Sequence, residues 1–309
     1  MNDQIISIHQ PTILKPLNIF NIDETKDYFN EEYLATQLED KIDQTENLLT
    51  EIKDEEGTYL LSITGKVLAE IQEHEQLKKD LRKARKKGDL KIAAETFHRS
   101  ISHEISTEEF TRQVKKHQEL IKDVMGEKAK IYLDTTNGVN EDTLQTLKIN
   151  GITTIITDAE EHYKDETLRV IDKSTLEIEE LQDDTTLRGK PLNLSYSDTL
   201  TLKERELETN DMQTKALEEL QAFESKVKNI EDSFVKKAWR LLTCQHVFQT
   251  MCNDDIKEDK VHPHNSPYET HATFMNILNS LARHITAQTS DLNTVTNKQL
   301  YNTLGKVLN

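Results

Sequence analysis

Short runs of β-forming residues alternate with long amphipathic segments from Ile5 to Ile156, and this alternation constrains the fold most. The β runs are Ile5-Ile6-Ser7-Ile8, Tyr59-Leu60-Leu61-Ser62-Ile63, Lys91-Ile92-Ala93-Ala94, Lys130 to Leu133 and Thr153-Thr154-Ile155-Ile156. Between the first two, Leu34, Leu38, Ile42, Leu48, Leu49 and Ile52 recur at helical spacing over residues 31–52. Residues 66–87 read as helix, as do 107–124, which Ser106 opens with Glu109 three positions on in a capping-box pattern. A further helix is expected near 140–149. Strands that alternate with helices predict an α/β chain built on a parallel sheet, open or closed into a barrel.

Beyond residue 157 the pattern weakens. Residues 158–190 are acidic, with Arg169-Val170-Ile171 and Leu176-Glu177-Ile178 as candidate short strands. Pro191-Leu192-Asn193-Leu194-Ser195-Tyr196 reads as the last strand. From Thr201 the β signal stops, and helices are expected over 201–230, 232–252, 267–285 and 297–308. With eight glycines and five prolines, tight turns fall mainly to Asn and Asp.

A length of 309 residues suits one large barrel with a helical attachment, or two modest domains. A net charge of −17 argues against a nucleic-acid or anionic-membrane partner, both of which need a basic surface. The run from Lys78-Lys79 to Lys86-Lys87 reads as the solvated face of a helix. The N-terminus lacks a basic region followed by an apolar run, and no apolar stretch reaches membrane-spanning length. Cys244 and Cys252, without a partner pair, point to a reduced, cytoplasmic compartment. No CxxC or HxxxH spacing occurs, so no metal or cofactor is expected.

In a barrel of parallel strands, functional side chains collect at the strands' C-terminal ends. Four segments place polar residues there: His9-Gln10-Pro11, Glu95-Thr96-Phe97-His98-Arg99-Ser100, Asp134-Thr135-Thr136-Asn137 and Ser197-Asp198. Taken singly each has a plain structural explanation. A lone His9 is most simply a packed or exposed histidine, and Glu95 an ion-pair partner of Arg99 or a neighbouring lysine.

In this order, however, the segments resemble glycoside hydrolase family 57, the α-amylase-like family. His9-Gln10-Pro11 is similar to its opening His-Gln-Pro, and Ser62-Ile63-Thr64-Gly65 to its Ser-(Ile/Leu)-Thr-Gly segment. Glu95 to Ser100, with Glu109-Phe110 and Gln113 to His117, resembles the Glu-Thr-Tyr-Tyr-His-Ser run and the helix after it. Asn210-Asp211-Met212-Gln213 is similar to the Asn-x-x-Gln that opens the helical region. Ala238-Trp239-Arg240-Leu241-Leu242, with His246 and Met251, resembles the Trp-Arg…Ser-Asp-His segment. Val261-His262 to Glu269, then Phe274-Met275-Asn276, resembles the closing Asn-Pro-Tyr…Tyr-Met-Asn. The resemblance implies the family's incomplete seven-stranded (β/α)-type barrel over residues 1–205. A C-terminal helical bundle over 206–309 would pack on it.

The same resemblance implies roles. His9 would contact substrate, and Glu95 would bind sugar hydroxyls with His98 near it. Trp239 would stack on a sugar ring, although a lone tryptophan on a helix also suits a core. His246 would face the site, with Gln245 where the family carries Asp. The family's strand reads Phe-Arg-Asn-Thr-Glu and ends in its nucleophile; residues 129–140 put Thr136 at that position. Retaining transfer of α-glucosidic bonds needs two carboxyl groups roughly 5–5.5 Å apart. Thr136 supplies none, and Asp134 sits too deep along the strand to replace it.

The acid/base belongs to a Met-Asp-Tyr-Glu-Thr-Phe-Gly segment that aligns with Leu192 to Leu202 in two registers. One puts Ser197 at the acid position, the other Asp198. A one-residue slip turns a side chain to the opposite face, so the registers differ in whether a carboxylate enters the site.

These losses imply a catalytically impaired α-amylase-like homologue. It would bind an α-glucan or oligosaccharide, or act as a scaffold or regulatory partner of another protein in polysaccharide metabolism. The alternative is an active retaining α-glucan hydrolase or 4-α-glucanotransferase with Asp198 as acid/base. A third reading gives residues 201–309 a structural role without a sugar ligand. Aromatics at 6%, with Tyr163 the single one in 158–190, leave few platforms for stacking sugars.

Overall fold

The computed structural model describes residues 4–8, 14, 28–29, 31–54, 59–136, 138, 140–157, 167–172, 210–251 and 266–307. His9, Asn137, Ser197, Asp198 and the expected strands Leu176–Ile178 and Pro191–Tyr196 lie outside the described residues. The chain divides into two compact units. Met1–Ile13, Asn30–Thr209 and Thr243–Gln249 form one; Leu14–Phe29, Asn210–Leu242 and Thr250–Asn309 form the other.

The first unit is α/β. Among the described residues its strands are β1 (Gln4–Ile8), β2 (Tyr59–Ile63), β3 (Leu90–Ala94), β4 (Ile131–Leu133), β5 (Thr154–Thr157) and β6 (Arg169–Asp172). All neighbours are parallel, in the spatial order β1-β2-β3-β4-β5-β6. The connecting helices are α1 (Glu31–Asp54), α2 (Gly65–Glu73), α3 (Glu75–Lys87), α4 (Ser102–Ile105), α5 (Thr107–Met125) and α6 (Glu141–Ile149). Because the strand order never reverses, right-handed crossovers put these helices on one face of the sheet. That is a (β/α)-type arrangement, without the switch point of a doubly wound sheet.

On the helix face, Leu61, Ile63, Ile92, Ala94, Tyr132 and Ile155 share a continuous core with Ile52, Leu68, Ile71, Leu81, Val114 and Ile121. The alternate residues Leu60, Ser62, Ala93, Ile131, Leu133 and Ile156 are buried as well. Burial of both faces explains why the strands read as apolar runs rather than as alternation.

Local signals set the helix ends. Ser106 Oγ accepts from Glu109 N at the start of α5, while the Glu109 carboxylate turns to Arg112 and Gln113. Asn140 and Thr143 close a reciprocal capping box on α6. The helix expected over 66–87 splits at His74, whose ψ of 87° leaves helical space with no glycine or proline to announce it.

The later helices are α7 (Asp211–Lys228), α8 (Ser233–Leu242), α9 (Gln245–Gln249, in the first unit) and α10 (Pro267–Val307). The expected helix 232–252 is broken at Thr243–Cys244. There Ile101 N donates to Thr243 O at 2.9 Å, and Cys244 bridges Ser100, so partners outside the helix take the backbone groups. The helices expected at 267–285 and 297–308 are one, because no glycine or proline separates them.

In the second unit α7 packs against α10, and Tyr28 shares a 2.7 Å hydroxyl hydrogen bond with Ser280. Asp232 caps α8, Oδ1 accepting from Phe234 N and Val235 N. Its Oδ2 accepts from His284 Nε2 at 2.9 Å and Gln288 Nε2 at 2.6 Å. Burial opposes ionisation of Asp232, but these donors outweigh it and hold its pKa at about 2.

No described helix is long and apolar enough to cross a membrane.

Candidate functional site

The polar residues of the first unit gather where β2, β3, β4 and β5 end. Glu95, the residue after β3, continues the face of Ala93, away from the helices, and has no exposed surface. Its Oε2 accepts from Arg99 Nε at 2.9 Å. Burial pushes the Glu95 carboxyl above its usual pKa; the Arg99 charge and hydrogen bond, and the Ser62 hydroxyl, pull the other way without cancelling it. Glu95 Oε1 and Ser62 Oγ are both buried, and neither makes a hydrogen bond of full length and angle.

Arg99 carries the one positive φ of a described non-glycine residue, 47°. Its turn is stitched on every side. Arg99 N donates to Thr96 O (3.0 Å), Ser100 N to Thr96 Oγ1 (2.7 Å), and Gln245 N to Arg99 O (2.9 Å). Gly65, at the start of α2, gives the turn room. A Cβ there would sit 2.3 Å from the Phe97 ring, and Gly65 N donates to Phe97 O.

Helix α5 buttresses the turn with two polar residues on its buried face. Gln113 Oε1 accepts from His98 N (3.2 Å) and from Ser100 Oγ (3.0 Å). His117 Nδ1 accepts from Glu95 N at 3.1 Å, which leaves the proton on Nε2 to donate to Ile63 O at 2.8 Å. Burial lowers the His117 pKa from 6.5 to about 4, so the ring is neutral near pH 7. One imidazole therefore ties the ends of β2 and β3 together.

At the end of β4, Asp134 is fully buried. Its Oδ1 accepts from Thr136 N (3.2 Å) and Thr136 Oγ1 (3.1 Å), and its Oδ2 accepts from Thr157 Oγ1 (3.2 Å) at the end of β5. Gln245 Nε2 reaches the same loop, donating to Thr135 O at 2.9 Å, while its Oε1 is buried without a partner.

The residues singled out in the sequence thus fall in different places. Glu95, His98 and Thr136 lie on the loops after β3 and β4, and His246 is buried on α9 of the same unit. Trp239 is buried in the second unit, its indole N–H donating to Leu220 O at 3.4 Å, the environment of a core tryptophan. His9 and Asp198 lie outside the described residues. His117 and Thr157 join the site without a role expected from the sequence. Gln113 and His117 carried a signal: both are polar positions on the apolar stripe that Phe110, Val114 and Ile121 define on α5. Among the described residues no three His, Cys, Asp or Glu side chains cluster as metal ligands.

The family model described as Glycosyl hydrolase family 57 matches residues 5–230. A solved structure of 4-alpha-glucanotransferase from Thermococcus litoralis is similar at 17% identity and a TM-score of 0.34. That likeness covers 50% of this chain, which spans 21% of that chain's length. A comparison with curated proteins found no match. The strand order, the polar strand ends and a family match over most of the sequence converge, and the chain belongs to glycosyl hydrolase family 57.

Proposed function

We propose that this chain is a catalytically impaired member of its family that binds an α-glucan through the turn after β3. One observation carries the reading. Thr136, aligned with the family's nucleophile, is committed as a donor: its amide and its hydroxyl both bond Asp134 Oδ1. A hydroxyl is a weak nucleophile without a base to take its proton. His117 does not supply one, since both its nitrogens are engaged by Glu95 N and Ile63 O. Asp134 is a poor substitute, because three donors already stabilise its carboxylate. In this reading Glu95 and His98, with His9 and His246, hold sugar hydroxyls, and Pro191–Tyr196 supplies the seventh strand of the barrel. A scaffold or regulatory role in polysaccharide metabolism follows, with residues 206–309 as the helical bundle.

Calorimetric titration with maltoheptaose tests binding. The wild-type chain is expected to give saturable heat. Glu95→Gln, which keeps the shape but removes the charged acceptor, is expected to weaken binding about tenfold. No heat and no thermal shift from the wild-type chain would remove the glucan-binding reading.

A further inference from the structure

We propose that the exposed faces of α1 and α3 dock a second copy of this chain, joining two copies by a salt-sensitive two-fold contact. The inference is independent of the glucan-binding reading and rests on where the charges lie.

Charge is laid out unevenly along the chain. Against a net charge of −17, α3 carries seven basic residues and two acidic ones, whereas α1 carries eight acidic and two basic. Part of the α3 charge is engaged within the copy. Lys78 pairs with Glu75 and Arg85 with Glu127, while Arg82 donates to Val124 O and Asp123 O at the end of α5. Lys79, Lys83, Lys86 and Lys87 are exposed and take no ion pair among the described residues. Lys86 and Lys87 suit the negative end of the helix dipole, but Lys79 and Lys83 lie too far back for that reason.

The helical repeat brings Lys79, Lys83 and Lys86 within an arc of about 60°, opposite the buried Leu77 and Leu81. Helix α1 repeats this spacing with the opposite sign. Glu39, Asp43 and Glu46 are exposed while Ile42, Leu49 and Ile52 are buried, and these three acids also take no ion pair among the described residues. Each stripe runs about 10 Å along its helix. Two faces with the same spacing and opposite charge are complementary when laid against each other.

The fold makes a self-complementary surface of the two. Helices α1 and α3 pack side by side in the first unit. A two-fold axis along the groove between them sets α1 against α3 of the second copy, and α3 against its α1, so both contacts form at once. An unrelated acidic partner would match α3 alone. Lysines, as compact point charges, suit a diffuse contact with carboxylates better than forked recognition of a phosphate. The exposed large apolar side chains, Ile149 and Tyr268, lie on other elements, so no apolar anchor strengthens the contact and salt weakens it.

Sedimentation equilibrium tests the proposal. At about 0.1 mM, the wild-type chain is expected to be a monomer–dimer mixture in about 0.05 M salt and a monomer in about 0.5 M salt. The triple variant Lys79→Glu, Lys83→Glu, Lys86→Glu is expected to stay monomeric at low salt. So is Glu39→Lys, Asp43→Lys, Glu46→Lys, because each variant sets like charges together in both contacts. An equal mixture of the two is expected to restore the dimer, since every stripe then meets its opposite. A wild-type chain that is monomeric at low salt would overturn the proposal, as would a dimer that either triple variant retains. Monomeric variants that do not associate on mixing would also overturn it, and would leave α3 to a different acidic partner. If a triple variant does not fold, Lys83→Glu decides. It is expected to raise the dimer dissociation constant about tenfold at low salt, and an unchanged constant would overturn the proposal.

Discussion

Replacing His117 by Phe is expected to lower the unfolding free energy at pH 7 by about 3 kcal/mol, because two buried backbone groups lose their partner. Those groups are Glu95 N and Ile63 O, at the ends of β3 and β2. The pH dependence identifies the cause. The folded-state pKa of His117 is depressed from 6.5 to about 4, since the buried ring has to be neutral. A group of this kind contributes stability that is complete above its unfolded pKa and is lost as pH falls through 6.5 toward 4. The gap between wild type and His117→Phe should therefore shrink over that interval. Urea unfolding at several pH values between 7 and 4 measures it. A gap that is constant with pH would mean that packing, not the neutral imidazole, accounts for the loss.

Asp134→Ala is expected to be nearly as damaging, by about 3 kcal/mol, for the opposite reason: it removes an acceptor from beneath three donors. Thr136 N, Thr136 Oγ1 and Thr157 Oγ1 would all lose their partner where β4 and β5 end. Asp134→Asn retains an oxygen for Thr136, and the Thr157 hydroxyl can turn to accept from the new amide, so its loss should be about 1 kcal/mol. Thermal unfolding ranks the two variants, and hydrogen exchange at the Thr136 amide should quicken in Asp134→Ala. An Asp134→Ala protein as stable as wild type would show that the carboxylate does not hold this loop, which would weaken the case against Asp134 as a reacting group.

The sheet was legible because its central strands are buried on both faces and so read as unbroken apolar runs, as Leu60 to Ile63 and Ile155-Ile156 do. The cap at Ser106 was legible for a local reason: side chain and amide lie three residues apart. What sequence did not give was decided at a distance. The interruption at Thr243–Cys244 depends on Ser100 and Ile101, more than a hundred positions earlier. The pairing of Asp134 with Thr157 depends on β4 and β5 ending at the same level. Glu95 was visible as a pocket carboxylate or as an ion-pair partner of Arg99; the structure shows the ion pair, with one carboxylate oxygen left over. His117 was visible in the motif, but its role follows only from the tertiary placement of α5 beneath the ends of β2 and β3.

The central claim is that this family 57 chain holds a glucan without cleaving it. Prolonged incubation with maltoheptaose, followed by separation of the products by chain length, tests this most directly. The account predicts maltoheptaose recovered intact, with neither shorter nor longer oligosaccharides. A ladder of products that disappears in Asp198→Asn would contradict it, and would make the chain an active hydrolase or glucanotransferase with Asp198 as acid/base.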